Sequence, residues 1–192
     1  MKLFHLASAA LLLAAPFAIA ETSTWKSDAA HSEVDFTIKH LSVSNVNGRF
    51  GHVDATIVYD DKDVTKSTVK ATIDVTGVNT GESARDSALK QDNFFGTDKF
   101  PSATFVSTSV AKSGSGLLVT GNLTIKGISK TVVLDVDGPA TPVTSPMDKK
   151  LHSGLSATTT IHRSDFGIGA GMPTAMLNED VKISIDLDIV KQ

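Results

Sequence analysis

The sequence predicts a single all-β domain of about eight antiparallel strands, closed as a barrel or packed as a sandwich. Three observations carry this. Apolar and polar residues alternate with period two along most of the chain beyond residue 33, the mark of strands with one face turned inward. Short joints rich in Gly, Asp and Ser separate the alternating runs at hairpin spacing. The number of runs is even, which lets the first and last strands pair antiparallel and leaves no exposed edge. An eight-stranded barrel has an interior just wide enough for packed side chains or one small ligand. Pattern alone does not choose between barrel and sandwich.

The chain opens with a segment that is expected not to belong to the fold. Lys2 is the only charge before Glu21, Leu6 to Ala15 is an unbroken run of Leu, Ala and Ser, Pro16 interrupts it, and Ala18-Ile19-Ala20 places small residues two apart. A positive start, a short apolar stretch and an A-x-A exit describe a secretory signal peptide cleaved after Ala20. The stretch is shorter than the roughly 20 apolar residues of a membrane-spanning helix. Residues 21–192 then form the one domain.

The expected strands follow in order. Val34, Phe36 and Ile38 alternate with Glu33, Asp35, Thr37 and Lys39; Val53, Ala55, Ile57 and Tyr59 come next, then Val69, Ala71, Ile73 and Val75. Ala103 and Phe105 begin a weaker run to about Val110. Leu117, Val119, Leu123 and Ile125 make the fifth, Val132, Leu134 and Val136 the sixth, and Leu155, Ala157 and Ile161 the seventh. Val181 to Ile189 closes the chain with the cleanest alternation. In a barrel, residues 33–39 should lie beside residues 181–189. Tight joints fall at Asp60–Asp63, Ser113–Gly116 and Gly127–Ser129.

Three connections are longer, and long connections usually carry a function. Gly77 to Pro101 has a short helical segment at Ser83–Gln91, with Asn79 or Thr80 as its cap, and is expected against one barrel end. Its Leu89, Phe94, Phe95 and Phe100 would plug that end or form a lid over a cavity mouth. Gly138 to His152 carries Pro139, Pro142 and Pro146 and reads as an extended surface loop. Ser164 to Asn178 is Gly-rich around Gly167, Gly169 and Gly171.

Composition excludes several functions. Without residues 1–20 the chain has 17 basic against 21 acidic side chains, which argues against nucleic acid. There is no Cys, so a thiol nucleophile, an Fe–S site and a Cys-ligated zinc are all excluded. His31, His40, His52, His152 and His162 show no metal-binding spacing on a helix and no H-E-x-x-H. Ser32 beside His31 does not make a hydrolase, since neighbours on one strand point to opposite faces. Only three of the 18 basic residues are Arg, namely Arg49, Arg85 and Arg163, each at a strand end or in a connection. Such sparing use suggests sites that need the planar guanidinium fork, for a ligand or for structural pairs such as Arg85 with Asp86 or Asp165.

A set of segments then carries a family resemblance. They are Asp28-Ala29-Ala30-His31-Ser32 leading into Val34-x-Phe36-x-Ile38-Lys39-His40; Gly48-Arg49-Phe50; Arg85-Asp86-x-x-Leu89; and Asn93-Phe94-Phe95. Lys99-Phe100-Pro101-x-Ala103-x-Phe105, Gly121-x-Leu123-Thr124-Ile125-Lys126-Gly127 and Arg163-Ser164-Asp165-Phe166-Gly167 complete it. In this order and spacing the chain resembles the YceI-like family of bacterial periplasmic proteins over nearly the whole mature sequence. The resemblance implies an extended, lipocalin-like eight-stranded barrel. It also implies a non-enzymatic role, in which a polyisoprenoid lipid, such as an isoprenoid quinone or a prenyl pyrophosphate, lies in an elongated cavity.

For such a ligand, Phe36, Ile38, Phe50, Phe94, Phe95, Phe100 and Phe105 are expected to supply the wall around the apolar tail. His40, Arg49 and Arg163 are expected to meet the polar head, the alternative for Arg163 being a pair with Asp165 that pins the last loop. No catalytic residue, cofactor or metal ligand is expected. The expected partner is the polyisoprenoid lipid or a similar long apolar small molecule, with room for transient membrane contact and for a homodimer. A structural or stress-protection module without a dedicated lipid is the alternative, and a hydrolase a more distant one.

Overall fold

The structure, a computed structural model, describes residues 22–192; the expected signal peptide lies outside the described residues. Eleven strands form one sheet: β1 (Thr22–Ser27), β2 (Glu33–His40), β3 (Ser44–Arg49), β4 (Val53–Asp60), β5 (Thr68–Asp74), β6 (Ser102–Ser113), β7 (Gly116–Ile125), β8 (Ile128–Asp137), β9 (Val143–Thr144), β10 (Leu151–His162) and β11 (Leu177–Lys191). One short helix, α1 (Ser83–Leu89), stands among them.

The sheet closes on itself as an eight-stranded antiparallel barrel. β1 and β2 lie end to end along one edge of β11: Trp25 and Ser27 face Lys191 and Ile189, whereas Glu33 to Ile38 face Asp186 to Val181. β3 and β4 lie end to end beside them, β3 on β2 and β4 on β1. Each pair therefore serves as one interrupted strand. The circuit continues through β5, β6, β7, β8 and β10 back to the other edge of β11. Side chains repair the first interruption. The Ser32 hydroxyl donates to the Asp188 carbonyl and accepts from the Asp188 N–H, at 3.1 and 3.2 Å.

The expected count of eight thus holds for the barrel, but two of its strands begin earlier than the alternation shows. β1 reads Thr-Ser-Thr-Trp-Lys-Ser and turns Ser23 as well as Trp25 inward. β3 reads Ser-Asn-Val-Asn-Gly-Arg, poor in strand-forming residues, and forms because β2 offers it a full ladder. The pairing of residues 33–39 with the last strand stands, though the final turn of β11 pairs with β1 instead.

The wall has one seam. Eleven residue pairs join β10 to β11, but only three, Ser156–Asp137 to Thr158–Asp135, join β10 to β8. Beyond them a loop from Arg163 fills the gap with Phe166 and Ile168, both buried. Residues 77–101 cover the same end of the barrel. The α1 cap is Glu82, whose side chain accepts from Ala84 N–H, rather than Asn79 or Thr80. Phe95 is buried and stacks edge-on to Phe50 with ring centroids 5.5 Å apart; Phe50 meets Phe36 at 5.2 Å. The cover and the seam loop are tied together: Gly169 N–H donates to the Asn93 carbonyl at 2.7 Å, and Lys126 Nζ reaches the Asp92 and Gly167 carbonyls.

An apolar cavity as the candidate binding site

Alternation sends Val69, Ala71 and Ile73 of β5 inward, yet none of the three is fully buried. The same holds for Val132 and Leu134 of β8 and for Val181 and Ile185 of β11. Inward side chains that keep accessible surface must face a hollow rather than a packed core. That hollow is a cavity of about 430 Å³, within the usual range for small-molecule sites. It runs from Val64, Ser67 and Pro139 at one end of the barrel to His40, Met172 and Met176 at the other. Its wall carries no Asp, Glu or Lys; the polar side chains on it are His40, Tyr59, Ser67, Arg85, Thr159 and Arg163.

The expected residues fall into three groups. Phe36, Ile38, Phe50, Phe94, Phe95 and Phe105 line the cavity, Phe36 and Ile38 through strand alternation, Phe94 and Phe95 through the cover. His40 stands at the rim, exposed at the end of β2. Phe100, Arg49 and Arg163 do not occupy the expected places. Phe100 follows the left-handed turn at Gly96 and packs by the Gly127 turn, outside the cavity lining. Arg49 is on the outer face, because residues alternate along β3, and its guanidinium pairs with Asp35 and Glu33 at 2.6 Å each.

Arg163 reaches the cavity lining but has nothing left to offer a ligand. It is 2% exposed. Its Nε donates to the Asn178 carbonyl, Nη1 to those of Ile168 and Gly169, and Nη2 to those of Met172 and Leu177, at 2.7 to 3.1 Å. A guanidinium has five N–H donors, so all are spoken for. Its charge is met by Glu179, 2.8 Å away, and not by Asp165. Arg163 pins the seam loop. Hydrogen bonding from Ser164, and then the nearby Arg163 charge, holds the Glu179 carboxyl below its usual range.

Of the far rim, the scarcity of Arg marked only Arg85, and alternation marked none of it. Met172 and Met176 come from the Gly-rich loop, Leu177 from the start of β11, and Arg85 and Ala88 from α1. Arg85 Nε donates to the Thr80 hydroxyl at 2.7 Å and Nη2 to the Thr80 carbonyl at 3.0 Å, so neither Asp86 nor Asp165 is its ion-pair partner. Leu41, Val43 and Met176 lie beside this rim with 50%, 80% and 46% of their surface exposed; Leu41 N–H donates to the Met176 carbonyl.

The outer surface holds a separate polar group at the β1–β2 interruption. Asp28, His31 and Asp188 bring one ligand atom each within 4.8 Å, an arrangement able to approach a cation. Hydrogen bonds already connect them: His31 to Asp28 at 3.0 Å, and His152 to Asp188 at 2.9 Å and Asp148 at 3.2 Å. These bonds raise the pKa of both His31 and His152. A backbone N–H from Lys150, then His152, lowers Asp148 to about 2. Ser32 and His31 do not meet as nucleophile and base, since one is tied to Asp188 backbone and the other to Asp28.

Comparison with known proteins agrees with this architecture. The family model for the YceI-like domain matches residues 25–189. A UPF0312 protein of Staphylococcus aureus strain MSSA476 is 40% identical over 159 residues, covering 81% of this chain and 90% of that protein. Among solved structures, Burkholderia cenocepacia BcnA superposes with a TM-score of 0.74 at 27% identity, covering 84% of this chain and 98% of that one. The Campylobacter jejuni YCEI protein gives 0.70 at 34% identity, over 81% and 90%. A polyisoprenoid binding domain from Saccharophagus degradans gives 0.61 at 17% identity, over 88% and 98%, and so shares the fold.

Proposed function

The chain belongs to the YceI-like family, and from that premise we propose that it is an exported, non-catalytic carrier of a long-chain polyisoprenoid lipid. The observation that carries the reading is the cavity: about 430 Å³ of hollow inside a closed barrel, walled almost wholly by apolar side chains. The Saccharophagus domain of the same fold is described as polyisoprenoid binding. Residues 1–20, with their signal-peptide pattern, support a periplasmic location.

The energetics favour a long tail. One isoprene unit of five carbons gains roughly 3–4 kcal/mol gross on burial. Three units gain on the order of 10 kcal/mol, which only matches the roughly 4–15 kcal/mol cost of association and ordering. Useful affinity therefore needs further units, and an extended cavity is the shape that accommodates them. A carrier of this kind shields the tail from water and changes no bond in it. The exposed Leu41, Val43 and Met176 at the rim suit brief contact with the bilayer from which such a lipid is taken.

Mass spectrometry of protein purified without detergent tests the proposal. A long-chain isoprenoid lipid at near one per chain is the expected result. Protein that carries no lipid and takes up no isoprenoid on incubation would replace the carrier with a structural module.

A further inference from the structure

The three Arg residues differ in one respect that their sequence context hides. Arg49 is neutralised by Asp35 and Glu33, and Arg163 by Glu179. Arg85, half-buried on the cavity wall, makes no ion pair among the described residues, and no carboxylate lines the cavity it faces. It is clamped instead by two uncharged acceptors, the hydroxyl and carbonyl of Thr80, and the Asp86 carboxylate stands behind them. The Thr80 hydroxyl accepts from Arg85 Nε and donates to Asp86 Oδ1 at 2.6 Å, while Asp86 also accepts from Thr80 N–H at 2.8 Å. Asp86 is thereby spent on fixing Thr80, and Thr80 on fixing Arg85.

The clamp uses one edge of the guanidinium, the Nε–Nη2 side. The opposite edge, formed by Nη1 and the second Nη2 hydrogen, has no protein partner among the described residues. That edge is the planar fork that binds two oxygens of one phosphate or carboxylate in parallel. A fixed cation with a free fork beside an apolar hollow is incompletely compensated, and interactions there are stronger than in water.

We propose that Arg85 is the head-group residue of the cavity, and that the preferred ligand is an amphiphile whose apolar tail ends in an anionic oxygen group, phosphate or carboxylate. The tail lies along the barrel and the head sits at the α1 rim of the cavity that His40 and Met176 also line. This rests on the carrier reading and adds a choice of head group to it. Tail burial alone would not discriminate between an alcohol and its phosphate; Arg85 does.

The test compares geranylgeranyl phosphate, geranylgeraniol and inorganic pyrophosphate as competitors of a neutral apolar fluorescent probe, on the wild type, Arg85→Met, Arg85→Lys and Thr80→Val. The phosphate should bind the wild type on the order of tenfold or more tighter than the alcohol, the scale of a charge-assisted pair. Arg85→Met should abolish that preference while the alcohol keeps its affinity within about twofold. Arg85→Lys should restore part of it, as a charge without the fork. Thr80→Val, which removes the Nε acceptor but keeps the residue-80 carbonyl and the charge, should loosen the guanidinium and weaken the preference without removing it. Equal binding of the two lipids by the wild type, or a preference that survives Arg85→Met, would overturn the role of Arg85 and leave the carrier standing. Pyrophosphate alone competing as well as the lipid phosphate would make this a site for soluble anions and overturn the amphiphile. No displacement by either lipid would overturn the carrier reading itself.

Discussion

At the scale of single residues, Arg163 and His152 yield the sharpest expectations. Replacing Arg163 by Met leaves five backbone carbonyls and Glu179 without their donor. Loss of one partner of a buried charged pair costs about 3–5 kcal/mol, to be read as a lower midpoint in urea unfolding. The relative affinity for charged and neutral lipids should not change, because Arg163 has no donor to give. His152 makes stability depend on pH. Its folded pKa lies above the usual 6.5 because Asp188 and Asp148 accept its N–H groups. Its contribution is complete below 6.5 and disappears as pH rises through the folded value. Thermal midpoints should therefore fall from pH 6 towards 8, and His152→Gln should flatten that fall, with His31→Gln, at a more exposed pair with Asp28, flattening it less. The rarity of Arg marked all three guanidinium sites in the sequence, but not their partners. Glu179 lies 16 positions from Arg163, and Thr80 sits before a helix of only seven residues whose direction no periodicity sets.

At the scale of elements, strand positions were legible where alternation was strong and illegible where pairing does the work. β11, with apolar residues at every second place, needs no partner to be recognised; β3, with two Asn and a Gly, exists through β2. Gly48 is there for a reason that β-propensity does not express, because the Phe36 ring lies over it, as the Phe105 ring lies over Gly121 of β7. Any Cβ at Gly121 would meet that ring and the Val106 carbonyl. Gly121→Ala should cost about 1–3 kcal/mol and push Phe105 into the cavity, reducing lipid uptake measured by probe fluorescence. The seam between β8 and β10 gives a second expectation. Amides of β8 before Asp135 that face β10 have no ladder partner there, so they should exchange with deuterium faster than those joining β10 to β11. Arg163→Met should accelerate that exchange locally by loosening the seam loop.

At the scale of the whole molecule, the barrel is legible from the number of alternating runs, but its emptiness is not. An inward apolar residue reads the same whether it meets another side chain or a hollow. The distinction comes from the summed volume of what faces it, and small residues such as Ala55, Ala71, Ala103 and Ala157 leave space that no single position announces. Filling the hollow should separate stability from binding. Ala71→Phe is expected to keep or raise the thermal midpoint, since cavity filling commonly adds about 0.5–2 kcal/mol, while lipid capacity falls.

Closure through β1 and β11, which are more than 160 positions apart in sequence, also fixes an order of events in time. Trp25 pairs with Lys191, so β1, made early in synthesis, must wait for the end of β11 before the ring is complete. Joining so distant partners adds little free-energy cost, since the entropy of a loop grows only logarithmically with its length, but it is slow. Until residue 191 arrives, β2 and β10 each show a bare edge to their surroundings. A chain lacking residues 181–192 would thus be an open sheet rather than a shorter barrel, and gel filtration should find it aggregated. A closed cavity therefore exists only once residue 191 has been made.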